Sequence, residues 1–145
     1  MTQKPEKTTG SRDKTPDTKT GNGNRLADAV TTALMEKKAK DIVVLDVRGL
    51  TTLTDYFVVC HGTSDTQIKA LADHVHEYVA EKTGEKAWKK EGLEARRWVI
   101  LDYVNLVVHI FNQEKREYYG IERMWNDAIR TDIRDEPVQQ EKSKE

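Results

Sequence analysis

At 145 residues, with 37% hydrophobic and 34% charged side chains, the chain is long enough for one domain with a real core. A formal net charge of −1 argues against a protein whose whole surface binds nucleic acid, because phosphate binding by counterion release needs a concentrated Lys/Arg face. The lone Cys60 excludes an internal disulfide, no apolar run approaches the roughly 20 residues that span a bilayer, and no hydrophobic signal core opens the chain. These features point to a soluble, cytoplasmic protein.

Thr2 to Asn24 contains no Val, Ile, Leu, Phe or Trp, so residues 1–24 are expected to form a disordered tail that cannot offset its ordering entropy. Glu6, Asp13 and Asp17, with few Arg and no amphipathic period, disfavour a mitochondrial targeting role. From Arg25 to Lys38, Leu26, Ala29, Val30, Ala33 and Leu34 recur at helical spacing, with Asn24 as the expected cap. Ile42 to Leu45 and Tyr56 to Cys60 are continuous apolar, β-branched runs of the kind that form strands buried on both faces. Thr51, Thr52, Thr54 and Asp55 form the polar connection between them.

His61-Gly62-Thr63-Ser64 then leads into a helix with the stripe Ile68, Leu71, Ala72, Val75, Tyr78 and Val79. Ser64 and Gln67 carry the spacing of a capping box, and Gly84 ends the helix. A Gly-Thr-Ser turn before a helix N-terminus can cradle an anion, which makes a nucleotide-binding or nucleotidyltransferase-like enzyme using Gly62 to Ser64 the rival functional class. That chemistry also needs paired carboxylates for Mg²⁺, and no D-x-D or D-x-E follows on a strand, so the plain helix cap is the better reading. Ala87 to Lys90 adds a short strand. Lys86 to Lys90 with Trp88 is a small basic patch that suits either a minor RNA contact or a solvated edge strand.

The chain is organised around Arg97 to Phe111, its longest apolar segment, which reads as a β-hairpin turning at Val104-Asn105. In that register Tyr103 faces Leu106, Leu101 faces Val108 and Val99 faces Ile110, giving one wholly apolar face. The other face pairs Trp98 with Phe111, Ile100 with His109 and Asp102 with Val107. From Glu114 a last helix carries Tyr118, Ile121, Trp125, Ala128 and Ile129 along one side, and residues 131–145, with Pro137, are expected to be a disordered or frayed tail.

Catalytic and metal sets fail on geometry. His74 and His76 lie two apart on a helix and point to different sides, and Cys60 and His61 are strand neighbours facing opposite ways. His109 beside Asp102 has no Ser or Cys on its face, so it reads as a polar pair beneath an interface. No catalytic residue, cofactor or metal is expected.

In order along the chain stand D-x-x-T-D-Y-F-V-V-C-x-G-T-S from Asp46, loosely spaced, then Glu91-Gly92, R-W-V-I-L-D-Y, L-V-V-H-I-F, R-E-Y-Y-x-I-E-x-M-W from Arg116 to Trp125, and D-A. This series resembles the ribosomal silencing factor family, also called Iojap or RsfS, over roughly Leu26 to Ala128, with residues 25–130 as the domain. It departs from the family at the hairpin turn, where Val104-Asn105 replaces the usual Gly-Asp; Asn105 is the better candidate for a positive φ there. The resemblance implies an α/β single domain of nucleotidyltransferase-like fold, a mixed sheet of about five strands flanked by three helices. The second helix is expected on the apolar hairpin face, with the first and last helices at the sheet's sides or back.

The resemblance also implies a translational repressor without catalysis. Such a protein binds the large-ribosomal-subunit protein numbered fourteen at the inter-subunit face and keeps the small subunit from docking. Off the ribosome it is expected as a monomer or homodimer. Large aromatics ringed by a few polar groups are the usual energetic centre of such a contact, which selects Trp98, Phe111 and Tyr119, with Asp102 and His109 as polar partners.

Overall fold

The computed structural model describes residues 22–134, and side chains from Arg25 onward. Its elements are α1 (Asn22–Glu36), β1 (Lys40–Asp46), β2 (Tyr56–Gly62), α2 (Asp65–Thr83), β3 (Lys89–Glu91), β4 (Trp98–Asp102), β5 (Leu106–Asn112), α3 (Gln113–Tyr119), α4 (Ile121–Met124) and β6 (Ile129–Ile133). The strands form one sheet in the order β3-β4-β5-β2-β1-β6. Among the described residues only strands β2 and β5 run parallel; the other strand pairs are antiparallel, so the sheet is mixed.

The β4–β5 hairpin adopts the register that its alternation dictates, from Trp98 opposite Phe111 to Asp102 opposite Val107. Val99, Leu101, Tyr103, Leu106, Val108 and Ile110 are all buried in one cluster with the stripe of α2. A one-residue slip would turn this whole set toward the opposite face, which is why the pattern specifies the pairing so strongly. Each such side chain contributes roughly 1.5–3 kcal/mol of burial. Ser64 caps α2 by accepting from Gln67 N–H at 3.1 Å, and Gly84 closes the helix at φ 80°.

The first helix does not lie at the sheet's side or back. Leu26, Val30, Ala33 and Leu34 join the same core as α2, leaving α3 and α4 to cover the opposite face with Ile121 beside Val43, Leu45, Val59 and Phe111. Helix α1 also begins at Asn22, two residues before the expected cap at Asn24.

The C-terminal reading needs the largest correction. The expected continuous helix breaks at Gly120, which takes the left-handed conformation at φ 59° and caps α3. Ile129 is not on a helix: Ile129–Ile133 pairs antiparallel with Asp46–Ile42 as a sixth strand. The sheet therefore has six strands rather than five, and the boundary drawn at residue 130 falls inside β6. The tail expectations for residues 1–21 and 135–145 lie outside the described residues.

At the hairpin turn the positive φ falls on Val104 at 75°, not on Asn105. Asn105 N–H donates to Tyr103 O at 2.9 Å, a γ-turn of the rarer, strained hand, inside the Tyr103 N–H to Leu106 O bond of 2.8 Å. Asp102 Oδ1 accepts from Val104 N–H at 2.8 Å and helps hold it. Asn105 O is occupied too, accepting from Asp55 and Tyr56 N–H at 3.1 and 3.2 Å, which ties the turn to the start of β2 and fixes Asn105 in place.

Candidate protein-docking face

The second face of the hairpin is an aromatic stack. Trp98 on β4 lies 5.0 Å from Phe111 on β5, ring centre to ring centre, and 4.4 Å from Tyr119 at the end of α3. Tyr118 meets Tyr119 edge-on at 5.1 Å. In the other direction His109 contacts Phe57 at 5.2 Å, and Phe57 contacts Trp125 at 5.5 Å. Aromatic pairs at these separations add about 0.5–1.5 kcal/mol each beyond burial.

The five residues selected from sequence divide within this geometry. Trp98, His109, Phe111 and Tyr119 come together in the stack. Phe111 is fully buried and His109 nearly so; they form the floor of the stack. Trp98 is half-buried, and Tyr119 is 42% exposed beside Tyr118 at 73% and Met124 at 68%. Asp102 stands apart, engaged with the turn, and does not bond His109. The partner of His109 is Trp98, whose Nε1–H donates to Nδ1 at 3.0 Å. That bond requires an unprotonated Nδ1, so the ring is neutral with its proton on Nε2, which is buried without a partner. Burial pushes its pKa down to about 4, with Asp102 opposing weakly.

Phe57 and Trp125 were not singled out from sequence, although Phe57, Val59 and His61 alternate along β2 toward this same face. A second omission is a buried charge cluster. Arg116, 8% exposed, donates from Nε to Glu122 Oε2 at 2.7 Å and from one NH group to Lys40 O at 3.3 Å and His61 Nδ1 at 2.9 Å. Glu122 also pairs with Arg130 at 3.2 Å, and Arg130 with Asp132 at 3.0 Å. Burial raises the Glu122 carboxyl, but the bonds and charges of Arg116 and Arg130 outweigh it and hold the group below the usual carboxylate range. Burial, then the Arg116 charge, lowers the His61 imidazole. The signal was the Arg and Glu of the Arg116–Trp125 motif, brought together by the break at Gly120.

The Gly62 to Ser64 turn is built as a helix cap. Thr63 N–H donates to Gln67 Oε1 at 2.7 Å, Gln67 N–H to Ser64 Oγ, and Ile68 N–H to Ser64 O at 3.0 Å. Gly62 is needed for close approach, since a Cβ there would lie 2.9 Å from Ile68 Cγ1. His74 pairs with Glu36 at 2.7 Å, and no cluster of three metal-ligating side chains occurs among the described residues. No helix there is long and apolar enough to cross a membrane.

Fold and face together define a single-domain α/β protein with two helices on one side of a mixed sheet and an aromatic surface on the other. Residues 20–145 match the family model described as ribosomal silencing factor during starvation. The chain is 40% identical over 98 residues to the ribosomal silencing factor RsfS of Bacillus subtilis, covering 68% of this chain and 82% of that protein. It is 38% identical over 103 residues to the RsfS of Halalkalibacterium halodurans, covering 71% and 87%. A crystal structure of a Chromobacterium violaceum protein superposes with a TM-score of 0.70 at 34% identity, over 73% of this chain and 88% of the other. The chain belongs to the ribosomal silencing factor family.

Proposed function

We propose that this protein binds the large ribosomal subunit in the cytoplasm through the protein numbered fourteen and sterically blocks the small subunit, repressing translation by occupancy and not by chemistry. The observation that carries the reading is the aromatic stack capped by Tyr119: exposed Tyr118, Tyr119 and Met124 border a half-buried Trp98 on a rigid floor of Phe111 and His109. Rigid aromatic anchors over a packed base are the usual centre of a stable protein contact. A standard interface of about 1,600 Å² with nanomolar affinity, roughly 12 kcal/mol, suffices to hold a wedge on free large subunits. Exposed Glu114 and Glu117 on α3 suit a basic ribosomal partner, while Asp102 contributes by holding the hairpin turn. The exposed Trp88 among Lys86, Lys89 and Lys90 supplies the minor rRNA contact.

Sedimentation with purified large subunits, small subunits and joined ribosomes tests this directly. The protein is expected to pellet with large subunits and, when added first, to reduce joining. Equal binding to small subunits would refute it.

A further inference from the structure

The two parallel strands end side by side, β2 at Gly62 and β5 at Asn112, and the chain leaves them in opposite directions. From β2 it enters α2 on the α1 side of the sheet; from β5 it enters α3 on the other side. Divergence of this kind at the carboxyl ends of neighbouring parallel strands opens a crevice, and that is where α/β sheets receive ligands. A cavity of about 1060 Å³ lies on the α3 side of these ends, with His61 of β2 and Arg116 of α3 in its lining beside the α1–β1 connection and β6. None of the stacked aromatic side chains lines it; Glu117 alone is shared with the proposed docking surface.

Among the described residues that line it, cations outnumber carboxylates. Arg116, Glu122, Arg130 and Asp132 neutralise one another through the chain of ion pairs. Four further cations, Lys38, Lys40, Arg123 and Arg134, line the cavity against two further carboxylates, Asp41 and Glu117. A concave site with excess charge of one sign focuses the field and attracts the opposite charge. The segment that supplies Lys38 and Asp41 is locally strained, for both are non-glycine residues at positive φ, 66° and 49°. Strain of this kind gathers at ligand clamps. Gln67 fixes the same segment by donating from Nε2 to Lys37 O at 3.2 Å and Lys38 O at 3.0 Å. Met35, Ile42 and Ile133 give the cavity an apolar wall.

We propose that this cavity binds a nucleotide, with the phosphates on Lys38, Lys40 and Arg134 and the base against Met35 and Ile133. The volume, just above the usual range of about 300–1,000 Å³ for small-molecule sites, accommodates such a ligand. The site differs from the Gly62 to Ser64 turn, where Thr63 N–H is already taken by Gln67 Oε1.

The test is isothermal titration of the full chain with ATP, GTP and inorganic triphosphate at fixed ionic strength, beside the double variant Lys38→Gln/Arg134→Gln. Both residues are exposed, so the variant should melt at the temperature of the parent. Saturable one-to-one nucleotide binding, competed by triphosphate and weakened at least tenfold in the double variant, is expected. No binding at millimolar nucleotide, affinity unchanged in the double variant, or binding confined to RNA oligonucleotides would each overturn the proposal. Should the double variant melt early, Lys40→Gln with the same titrations decides in its place.

Discussion

His109 makes folding stability depend on pH in a defined window. In the folded protein its Nδ1 accepts from Trp98 Nε1–H, its Nε2 is buried, and its pKa falls from 6.5 to about 4. In the unfolded chain it titrates near 6.5. Between those values the unfolded state binds more protons than the folded state, so stability is fully present above about pH 6.5 and declines as pH falls toward 4. A shift of this size corresponds to about 3 kcal/mol across the window, a large share of the total stability of a small domain. Burial and the Arg116 charge lower the His61 pKa as well, so His61 contributes in the same direction. Urea unfolding between pH 4 and 8 measures the slope, and His109→Gln isolates the His109 share because glutamine can still accept from Trp98. The variant is expected to lose much of the slope while changing little in stability above about pH 7, so that near pH 4 it is the more stable of the two. An unchanged slope, or a titration of the His109 ring near 6.5 observed by NMR, would refute the reasoning.

Val104→Gly should raise stability by roughly 1 kcal/mol in urea unfolding, because a left-handed residue with a Cβ costs about 1–2 kcal/mol and the exposed Val104 side chain forfeits little packing. A loss would show that this side chain is held by contacts. Tyr119→Ala should weaken large-subunit binding by about 2 kcal/mol while costing about 1 kcal/mol of stability or less; Trp98→Ala should cost about 3 kcal/mol or more of stability, since it empties the stack and strips His109 Nδ1 of its donor. Full-affinity binding by Tyr119→Ala would remove the aromatic face from the interface. Cys60 is fully buried, and burial pushes its thiol up to about 12, with Arg116 pulling the other way. Alkylation of the native protein should therefore track unfolding, and rapid labelling without loss of fold would contradict that burial.

The hairpin was legible because six alternating apolar positions converge on one face, which leaves a single register that buries them all. The partner of His109 was not legible for a geometric reason. Its direct neighbour across the strands is Ile100, so Trp98 and Asp102 are both diagonal neighbours on the same face. Only the tertiary structure breaks the tie: the strained turn takes an Asp102 oxygen, and Trp98 is left to donate. Strand β6 was hidden by the segment before it, where Ile121, Trp125, Ala128 and Ile129 keep a helical spacing past the true helix end. An edge strand with Ile129 and Ile133 as its apolar residues carries too weak a period-two signal to override that spacing. Arg116 was hidden because a lone Arg in a charged helix reads as a solvated group, whereas its burial depends on Lys40 O and His61 from strands more than fifty residues away.

Burial of Phe111 and His109 changes what the aromatic residues can do. A ring with no exposed surface gives a partner nothing directly, yet it fixes the rings above it, and a rigid anchor loses less side-chain entropy on binding than a free one. Trp98 is restrained by Phe111 behind it, Tyr119 over it and the His109 bond at its indole N–H. Tyr119 sits one residue before the Gly120 break, and that break also brings Glu122 back to the buried Arg116. Removing Arg116 would leave the half-buried Glu122 carboxylate without its main partner, at a cost of about 3–5 kcal/mol for a fully desolvated pair and less for one this accessible. The charge cluster thereby fixes the end of α3 and, with it, the angle at which Tyr119 meets Trp98. The motif from Arg116 to Trp125 can thus act as a unit: its charged members set the helix break that aims its aromatic members.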